Sequence, residues 1–295
     1  MYINDFKIFQ AVAEHNSFTK AAIATNTVQS NVTARIKFLE EHFNARLFER
    51  TSRKIELTTA GEQLLKVARE LQLMLENAKA SISGVAAPVK GLIKIGCIHT
   101  TAALRAPGLL QRFTADYPEM EFHLKTGTTA SLIKDVLAYK LDGAFIAGTT
   151  ADAALTVQPV VTEELCIVTS SMVTSIDQLK TSSKRLKLVV FSNGCSYRKR
   201  FETLLGDWEN KRFTVIEVDT LEGIMNTVEA GIGITLLPFA LIDKYYGYRD
   251  IRTFRLPKSF AKVPTVFIKR KDIPMSEGYR LFLKSIEDGY VGDIT

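Results

Sequence analysis

The clearest pattern of apolar and polar positions lies between residues 17 and 58, where two helical repeats precede a basic turn. At 100° per residue, the second repeat places four apolar side chains within one narrow arc: Val32, Ile36, Leu39 and Phe43. Four polar side chains fall on another arc: Gln29, Ser30, Thr33 and Lys37. The pattern predicts a helix with one face in a core and the other face free to form hydrogen bonds.

A shorter helix over about residues 19–25 precedes this one. Ala21 and Ala22 are small enough for a crossing helix to come close, and Ser17 is a suitable N-cap. Residues 2–15 add a lead-in helix with an apolar stripe. Because a basic turn then leads into the apolar run IELT, the sequence predicts a winged helix-turn-helix.

A long helix is predicted from Thr58 or Thr59 to about Ser83, without Gly or Pro after its first turn. Its apolar side chains recur at intervals typical of a heptad seam: Leu64, Ala68, Leu71, Leu75, Ala78 and Ile82. No other long helix lies nearby in the chain, so we expect a second copy of the chain to cover the seam. An ordinary amphipathic helix packed on its own domain is the alternative. Residues 83–91 are interpreted as a linker.

From residue 92 onwards, short apolar runs alternate with helical segments. The runs are LIKIGCI, GAFIAG, ELCIVTS, LKLVVFS, TVIEVDT and GITLLP; the helices are expected over 102–115, 130–139, 197–205 and 222–230. Such alternation predicts an α/β fold with parallel sheets covered by helices.

Hydroxyl-bearing residues follow three of the predicted strands. In open parallel sheets, ligands collect at the carboxyl ends of strands, where helix N-termini present free N–H groups. The candidate ligand-binding residues at these ends are Thr100, Thr101, Thr128, Asn193, Cys195 and Ser196. Because helix N-termini carry partial positive charge and these segments contain no carboxylate, we expect a small anion. Ser, Thr and Asn are also ordinary helix caps, and that alternative remains open.

Cysteine and histidine offer little further chemistry. Cys195 lies near Arg198 and Lys199, which could favour a reactive thiolate, but a small side chain at such a turn is equally suited to packing. His99 and Cys97 are close in sequence, yet the chain has no HxH, HExxH or CxxC spacing. We therefore predict no metal, no cofactor and no Cys-His catalysis.

Composition sets broad limits on the class of protein. At 295 residues and 46% hydrophobic content, the chain can form more than one packed domain. A net charge of +6 is a mild bias towards a polyanionic partner. Three widely separated cysteines suggest a reducing compartment. Neither a signal peptide nor a membrane-length apolar run is apparent, so a cytoplasmic protein without membrane contact is expected.

The segments SFTKAA, VQSNVTARIKFLEE and ARLFERTSRKIELTTAG resemble the N-terminal module of the LysR-type transcriptional regulators. The resemblance continues along nearly the whole chain and implies three parts. These are a winged helix-turn-helix over 1–58, a dimerising linker helix and hinge over 59–90, and an effector-binding domain over 91–295. Within the last part, it implies two periplasmic-binding-protein-like α/β subdomains, one of about 91–162 and 268–295 and one of about 163–267.

Three positions depart from the pattern that this resemblance leads us to expect. Ser30, Ala34 and Asn44 stand where many relatives have Pro, Arg and Gly, so a base preference cannot be transferred to this chain.

The resemblance implies a non-enzymatic regulator that binds double-stranded promoter DNA and a small effector held between the subdomains. It also implies a homodimer or homotetramer and RNA polymerase as a further partner. On the predicted helix, Gln29, Ser30 and Thr33 are placed to face base edges. Phosphate contacts are predicted for Lys37, Arg50, Arg53 and Lys54, although a basic turn alone could be a solvated surface. Arg35, on the flank of the helix, either pairs within the protein or touches the DNA backbone.

A solute-binding protein or an enzyme built on the same α/β lobes is the rival interpretation. The missing export signal argues against the first. The lack of a convergent acid, base and nucleophile argues against the second.

Overall fold

The computed structural model describes residues 1–50, 54–82, 89–181, 185–206, 208, 213–273 and 275–289. These residues form two compact units, drawn from 1–88 with 272–276 and from 89–271 with 277–295.

The first unit contains the predicted winged helix-turn-helix. Its elements are α1 (Ile3–His15), α2 (Phe18–Ala24), α3 (Gln29–His42), β1 (Phe48–Arg50), β2 (Ile55–Leu57) and α4 (Thr59–Ile82). The predicted cap is present, since Ser17 Oγ accepts a hydrogen bond from Lys20 N at 3.3 Å. β1 and β2 pair as an antiparallel wing. Asn26 and Asn44 adopt φ values of 50° and 47°, which allow the chain to turn after α2 and α3.

The core of the first unit is formed by the apolar faces of its helices. Val32, Ile36 and Leu39 of α3 are each 0% exposed, as their common arc predicts. The expectation for Phe43 is wrong. This side chain is 42% exposed, because α3 ends at His42 and the following backbone turns the ring away from the core arc.

The seam of α4 is partly covered by its own chain. Leu64 and Ala68 are 7% and 1% exposed, and α4 packs against α1. Leu71 and Leu75 are half-buried, and Ala78 is exposed. The alternative of packing on its own domain therefore holds for Leu64 and Ala68, which lie beside α1, while cover of the rest of the seam by a second copy stays a prediction. The Ile82 side chain and linker residues 83–88 lie outside the described part of the chain.

The second unit alternates strands and helices as predicted. Its strands are β3 (Gly91–Ile98), β4 (Met120–Gly127), β5 (Gly143–Ala147), β6 (Leu155–Ser170), β7 (Leu186–Val190), β8 (Phe213–Glu217), β9 (Thr235–Pro238), β10 (Ile251–Arg255) and β11 (Lys262–Arg270). Its helices are α5 (His99–Leu104), α6 (Ala106–Asp116), α7 (Thr129–Leu137), α8 (Ile176–Thr181), α9 (Ser196–Gly206), α10 (Leu221–Glu229), α11 (Phe239–Tyr246), α12 (Lys258–Ala261) and α13 (Glu277–Glu287).

One predicted helix is divided in the structure. The segment 102–115 contains the end of α5 and most of α6, which meet at Arg105. Pro107 lies in the first turn of α6, where its missing N–H costs nothing and its fixed φ favours a helix start. The break in the helix is therefore explained by Pro107, whereas the prediction of one helix rested on apolar periodicity alone.

The sheets are mixed, which corrects the expectation of purely parallel sheets. β3 pairs in parallel with β4 and β5, and β7 pairs in parallel with β8. The remaining pairs, β5–β11, β6–β11, β6–β9 and β6–β10, are antiparallel. Alternation of strands and helices predicts the parallel pairs; it does not show that β6 and β11 return through the sheet in opposite directions.

The two lobes of this unit share the strand β6. Its first part pairs with β11, up to Glu164, and its last part pairs with β9 and β10. A β-bulge between Thr265 and Val266 of β11 lies near this crossover. β11 pairs with β5 from Thr265 onwards, three residues before the expected return to the first lobe at 268.

Candidate DNA-binding surface and effector cavity

The polar face of α3 is exposed. Gln29, Ser30, Thr33 and Lys37 are all solvent-accessible on the side opposite the buried arc. Two of these side chains already make hydrogen bonds: Gln29 Oε1 accepts from Thr19 Oγ1 at 3.0 Å, and Thr33 Oγ1 donates to the Gln29 carbonyl at 3.0 Å. The Gln29 amide nitrogen is not used by these bonds, so it is a candidate donor to a base edge.

The predicted phosphate-binding cations have carboxylate partners within the unit. Lys37 lies 3.5 Å from Glu41, and Lys54 lies 3.4 Å from Glu56. These pairs are exposed, so each contributes about 1 kcal/mol or less, and a phosphate can compete for the cation. Arg53 lies outside the described residues.

Arg35 and Arg50 are held more firmly. Arg35 lies 3.5 Å from Asp5, whose side chain is 2% exposed, so this pair ties α3 to α1. Of the two roles left open for Arg35, the structure shows pairing within the protein. Arg50 lies 3.4 Å from Glu40, and its guanidinium stacks 4.6 Å from the centroid of the Phe18 ring.

The second unit encloses a small cavity at the carboxyl ends of its strands. It is lined by Ile98, His99, Thr100, Gly127, Thr128, Thr129, Ala147, Phe191, Cys195, Ser196 and Tyr197. These residues come from the starts of α5, α7 and α9 and from the ends of β3, β4 and β5. The cavity volume is about 10 Å³, counted as space for the centre of a water molecule. This is room for about one water, so in this conformation the space between the lobes is too small for an organic ligand.

Four of the six predicted effector-binding residues line this cavity: Thr100, Thr128, Cys195 and Ser196. Thr101 is 3% exposed and is not part of the lining. Asn193 is exposed and faces an outer groove of about 310 Å³. Thr101 and Asn193 therefore do not line the cavity. In their segments, Thr100 and Ser196 face it instead.

Seven lining residues were not among the predicted effector-binding residues: Ile98, His99, Gly127, Thr129, Ala147, Phe191 and Tyr197. Ala147 is the last residue of β5 and Phe191 follows the last residue of β7, so their position at the end of a recognised apolar run was the available signal. Tyr197 follows Ser196 and belongs to the buried stripe of α9 with Phe201 and Leu204. The spacing of that stripe could have indicated that Tyr197 points inwards.

Three hydroxyl groups lie at the buried end of the site. Thr100 Oγ1, Tyr197 Oη and Thr265 Oγ1 are inaccessible to solvent and form no hydrogen bond with the described residues outside this cluster. Within the cluster, Tyr197 is near enough to share a hydrogen bond with Thr100 and with Thr265. Burial raises the pKa of Tyr197, and the neighbouring Thr100 and Thr265 hydroxyls oppose that rise. Tyr197 is therefore a neutral phenol that can donate a hydrogen bond.

The other hydroxyls at the cavity are engaged by the protein. Ser196 Oγ donates to the Ala147 carbonyl at 2.8 Å, and Thr129 Oγ1 donates to the same oxygen at 3.4 Å. Thr128 Oγ1 caps α7 by accepting from Ser131 N at 3.3 Å. The cap interpretation is thus correct for Thr128, while its position also places it in the lining.

Charge around the cavity is low. Within the described part of the chain, its lining holds no acidic side chain and no Lys or Arg. Arg198 faces the outer groove and pairs with Glu202 at 2.9 Å and Glu217 at 2.6 Å. Arg198 therefore adds no full charge to the cavity lining.

His99 and Cys195 are both uncharged at neutral pH. The His99 ring stacks on Phe191 with centroids 4.4 Å apart, and burial lowers the His99 pKa while Asp219 opposes the change. Burial also raises the pKa of the Cys195 thiol, against smaller opposing effects of neighbouring N–H groups and Arg198. The environment of Cys195 therefore favours packing over thiolate chemistry. Among the described residues, no group of three or more His, Cys, Asp or Glu could hold a metal ion.

A main-chain hydrogen bond joins the two lobes beside the cavity. Ala130 N, in the first turn of α7, donates to the Gly194 carbonyl at 3.2 Å. Gly194 has a φ of 93°, and a Cβ placed there would lie 2.9 Å from Ala130 Cβ and 3.0 Å from Thr128 Oγ1. Glycine is required at this turn because both its conformation and its close approach exclude a side chain.

A winged helix-turn-helix, together with a two-lobed α/β unit around an internal cavity, defines a DNA-binding regulator with a small-molecule site. Comparison with known proteins supports this class. The model of the lysR-family bacterial regulatory helix-turn-helix protein matches residues 3–62, and the model of the LysR substrate binding domain matches residues 86–290. No helix among the described residues is long and apolar enough to cross a membrane.

Curated relatives agree along nearly the whole chain. The HTH-type transcriptional regulator YofA of Bacillus subtilis is 38% identical over 288 residues, covering 98% of this chain and 99% of YofA. The uncharacterized HTH-type transcriptional regulator YusT of the same organism is 37% identical, covering 97% and 95%. The chain belongs to the LysR family: it is a transcriptional regulator, not an enzyme, with a DNA-binding helix-turn-helix and an effector-binding domain.

Solved structures show the same fold at low sequence identity. ArgP from Mycobacterium tuberculosis matches with a TM-score of 0.72 at 18% identity, covering 98% of this chain and 97% of ArgP. Full-length CbnR complexed with its target DNA matches with a TM-score of 0.54 at 21% identity, covering 98% and 100%.

Proposed function

We propose that α3 reads a promoter through its exposed face and that a small effector in the cavity controls the conformation of the two lobes. Gln29, Ser30 and Thr33 face base edges in this proposal. Lys37, Arg50, Arg53 and Lys54 face phosphates, with Arg50 giving up its Glu40 partner to do so. Arg35 positions α3 through Asp5 rather than contacting DNA.

The observation that carries the effector proposal is the buried pair of hydroxyls in the cavity lining, Thr100 Oγ1 and Tyr197 Oη, which have only each other and Thr265 as hydroxyl neighbours. Two contacts among three hydroxyls leave at least one O–H without an acceptor, at a cost of about 1–3 kcal/mol, so the closed state gains stability when a ligand oxygen accepts from this group. Because the closed cavity is very small, the effector enters an open form and shifts the population towards closure.

We propose that the effector is a small anion, either an organic carboxylate or an oxyanion. The starts of α7 and α9 meet at the cavity, so their N–H groups supply partial positive charge. Neutral Tyr197 and Thr100 supply further donors. Without a Lys or Arg in the described lining, these dipoles rather than a formal charge would balance the anion.

Titration calorimetry of the full-length chain against small carboxylates, oxyanions and their neutral analogues tests this proposal. Thr100→Ala or Tyr197→Phe removes a hydroxyl donor beside an ionised ligand and should weaken binding about ten- to a hundredfold. Thr203→Ala is the matched control, because this hydroxyl lies on the exposed side of α9 and donates to the Lys199 carbonyl. Tighter binding of a neutral or cationic analogue than of every anion would contradict the anion proposal.

For assembly, we propose a homodimer through the outer half of the α4 seam, with a homotetramer as a further step. An open groove of about 80 Å³ between α1 and α4 is lined by Ile3, Phe6, Leu71 and Leu75 among others, and it supports this choice. Leu71→Lys would place an unpaired charge in the interface, so sedimentation should show dissociation to a folded monomer. An unchanged dimer would remove α4 from the interface.

We retain the remaining expectations as proposals. The functional parts are residues 1–58, 59–90 and 91–295, with RNA polymerase as a further partner at the promoter. A cytoplasmic location is supported by the DNA-binding role of the family and by three free cysteines, of which Cys97 and Cys166 are buried.

A further inference from the structure

Val28 is the residue immediately before α3 and occupies its N-cap position. Its backbone is extended, with φ −98° and ψ 152°, and its carbonyl accepts from Asn31 N at 3.0 Å and from Val32 N at 3.2 Å. Valine is among the poorest N-cap residues, since its side chain cannot accept a hydrogen bond from the first turn. By contrast, Ser17, Thr128 and Thr220 cap α2, α7 and α10 with their hydroxyls. Helix capping therefore does not account for valine here.

Packing does not account for Val28 either. Its side chain is 64% exposed, next to the exposed Gln29 and Ser30. The position thus combines an unfavourable cap with an unfavourable apolar surface, at the tip of the helix assigned to base reading. Positions that break several local rules at once are expected at functional sites.

The chemistry of the major groove offers a partner for this side chain. The N-terminal residues of a helix-turn-helix recognition helix contact base edges there. Among the groups that base pairs present in the major groove, the C5 methyl of thymine is the apolar one. A branched aliphatic side chain suits this methyl group, whereas the hydroxyl or amide of a normal N-cap residue would not.

We propose that Val28 is a specificity-determining residue that packs against a thymine C5 methyl beside the base contacted by Gln29. The inference rests on the proposed placement of α3 in the major groove. The hydrogen bond from Thr19 Oγ1 to Gln29 Oε1 supports the proposal, because this bond fixes Gln29, the neighbouring base-contacting residue, relative to α2. Val28 then requires thymine at one position of each half-site.

Replacing thymine with deoxyuridine tests the proposal, because it removes the methyl group and leaves the hydrogen-bonding edge unchanged. The probe is a duplex that the full-length protein selects from a random-sequence pool, together with copies in which each thymine is replaced in turn. Fluorescence anisotropy should show about fourfold weaker binding for one thymine of each half-site, as expected for the loss of one buried methyl contact.

Val28→Thr keeps the shape of the side chain but exchanges one of its two methyls for a hydroxyl. Because the remaining methyl can still touch the thymine methyl, the preference for thymine over deoxyuridine should fall from about fourfold to about twofold. Because threonine is the better N-cap, its melting temperature should be at least that of the original chain, which excludes misfolding as the cause. Ile23→Thr is the matched control: Ile23 is a 73% exposed aliphatic residue on α2, and its replacement should leave the preference for thymine unchanged.

Three results overturn the proposal in distinguishable ways. If Val28→Thr prefers thymine as strongly as the original chain while Gln29→Ala loses base discrimination, α3 reads the major groove but Val28 does not read the methyl. If neither variant alters any base preference, the proposed placement of α3 itself is wrong. Transfer of the methyl effect to Ile23→Thr would assign the contact to α2.

Discussion

The exposed face of α3 and the buried cavity of the second unit hold polar side chains under opposite conditions. On α3, Gln29 and Ser30 are solvated, so keeping them ready for DNA costs little free energy. In the cavity, Thr100 and Tyr197 are buried with Thr265, and at least one of the three O–H groups has no acceptor, at a cost of about 1–3 kcal/mol. Base specificity can therefore be assigned to single exposed side chains of α3. Affinity for the effector instead depends on all the residues that line the cavity.

Two neighbouring ion pairs provide the strongest test of this contrast. Arg105 and Glu163 are paired at 3.2 Å with side chains 9% and 5% exposed. Arg105→Ala leaves Glu163 buried without a partner and should lower the free energy of unfolding by about 3–5 kcal/mol in urea titrations.

The next carboxylate along β6 supplies the control for Arg105. Glu164 pairs with Arg255 at 2.7 Å, but both side chains are about half exposed. Arg255→Ala should cost about 1 kcal/mol, including its stacking on Phe239. Equal destabilisation by the two substitutions would show that burial does not set the difference.

On the DNA-binding surface, the expected effects are smaller and differ in kind. Gln29→Ala should reduce discrimination at one base pair by about 1–3 kcal/mol while leaving other positions unchanged. Lys37→Ala should weaken all duplexes alike and flatten the dependence of affinity on salt by about one unit. Binding to a panel of single-base variants at two or more salt concentrations separates these outcomes. A loss of discrimination in Lys37→Ala would refute the division between base and phosphate contacts.

The smallest expected effect concerns pH and belongs to the cavity. Burial lowers the His99 pKa, so the unfolded chain binds the proton more readily than the folded chain. The stability that this group contributes is present above the ordinary value of 6.5 and is lost as pH falls through the lowered folded value. His99→Gln should therefore show a shallower fall in the urea midpoint between about pH 7.5 and 5.5. If the urea midpoint of His99→Gln falls with pH as steeply as that of the original chain, His99 is not the source of the pH dependence.

The same contrast explains how much the sequence could predict. The faces of α3 and the extent of α4 follow from local periodicity, because each residue's environment depends on neighbours three and four positions away. The seam of α4 was only partly predictable. Leu64 and Ala68 are covered by α1, whose contact with α4 is set by the tertiary fold rather than by the heptad pattern.

The cavity depended on non-local pairing and was predicted less completely. Hydroxyl-rich strand ends identified Thr100, Thr128 and Ser196, because each lies where a helix begins. The Thr265 hydroxyl beside Tyr197 could not be foreseen, since β11 reaches this place by pairing with a strand about a hundred residues earlier. The position of the Arg198 side chain, outside the cavity lining, is likewise set by its ion pairs with Glu202 and Glu217.

The strand β6 has a further consequence for the unfolding of the second unit. Its 16 residues, Leu155–Ser170, belong to both lobes, so loss of either lobe removes an interior strand from the other. Neither lobe can therefore melt while the other keeps its full sheet. We expect the lobes to unfold as one cooperative unit, so that amide hydrogens of β6 on both sides of Glu164 exchange through the same global opening.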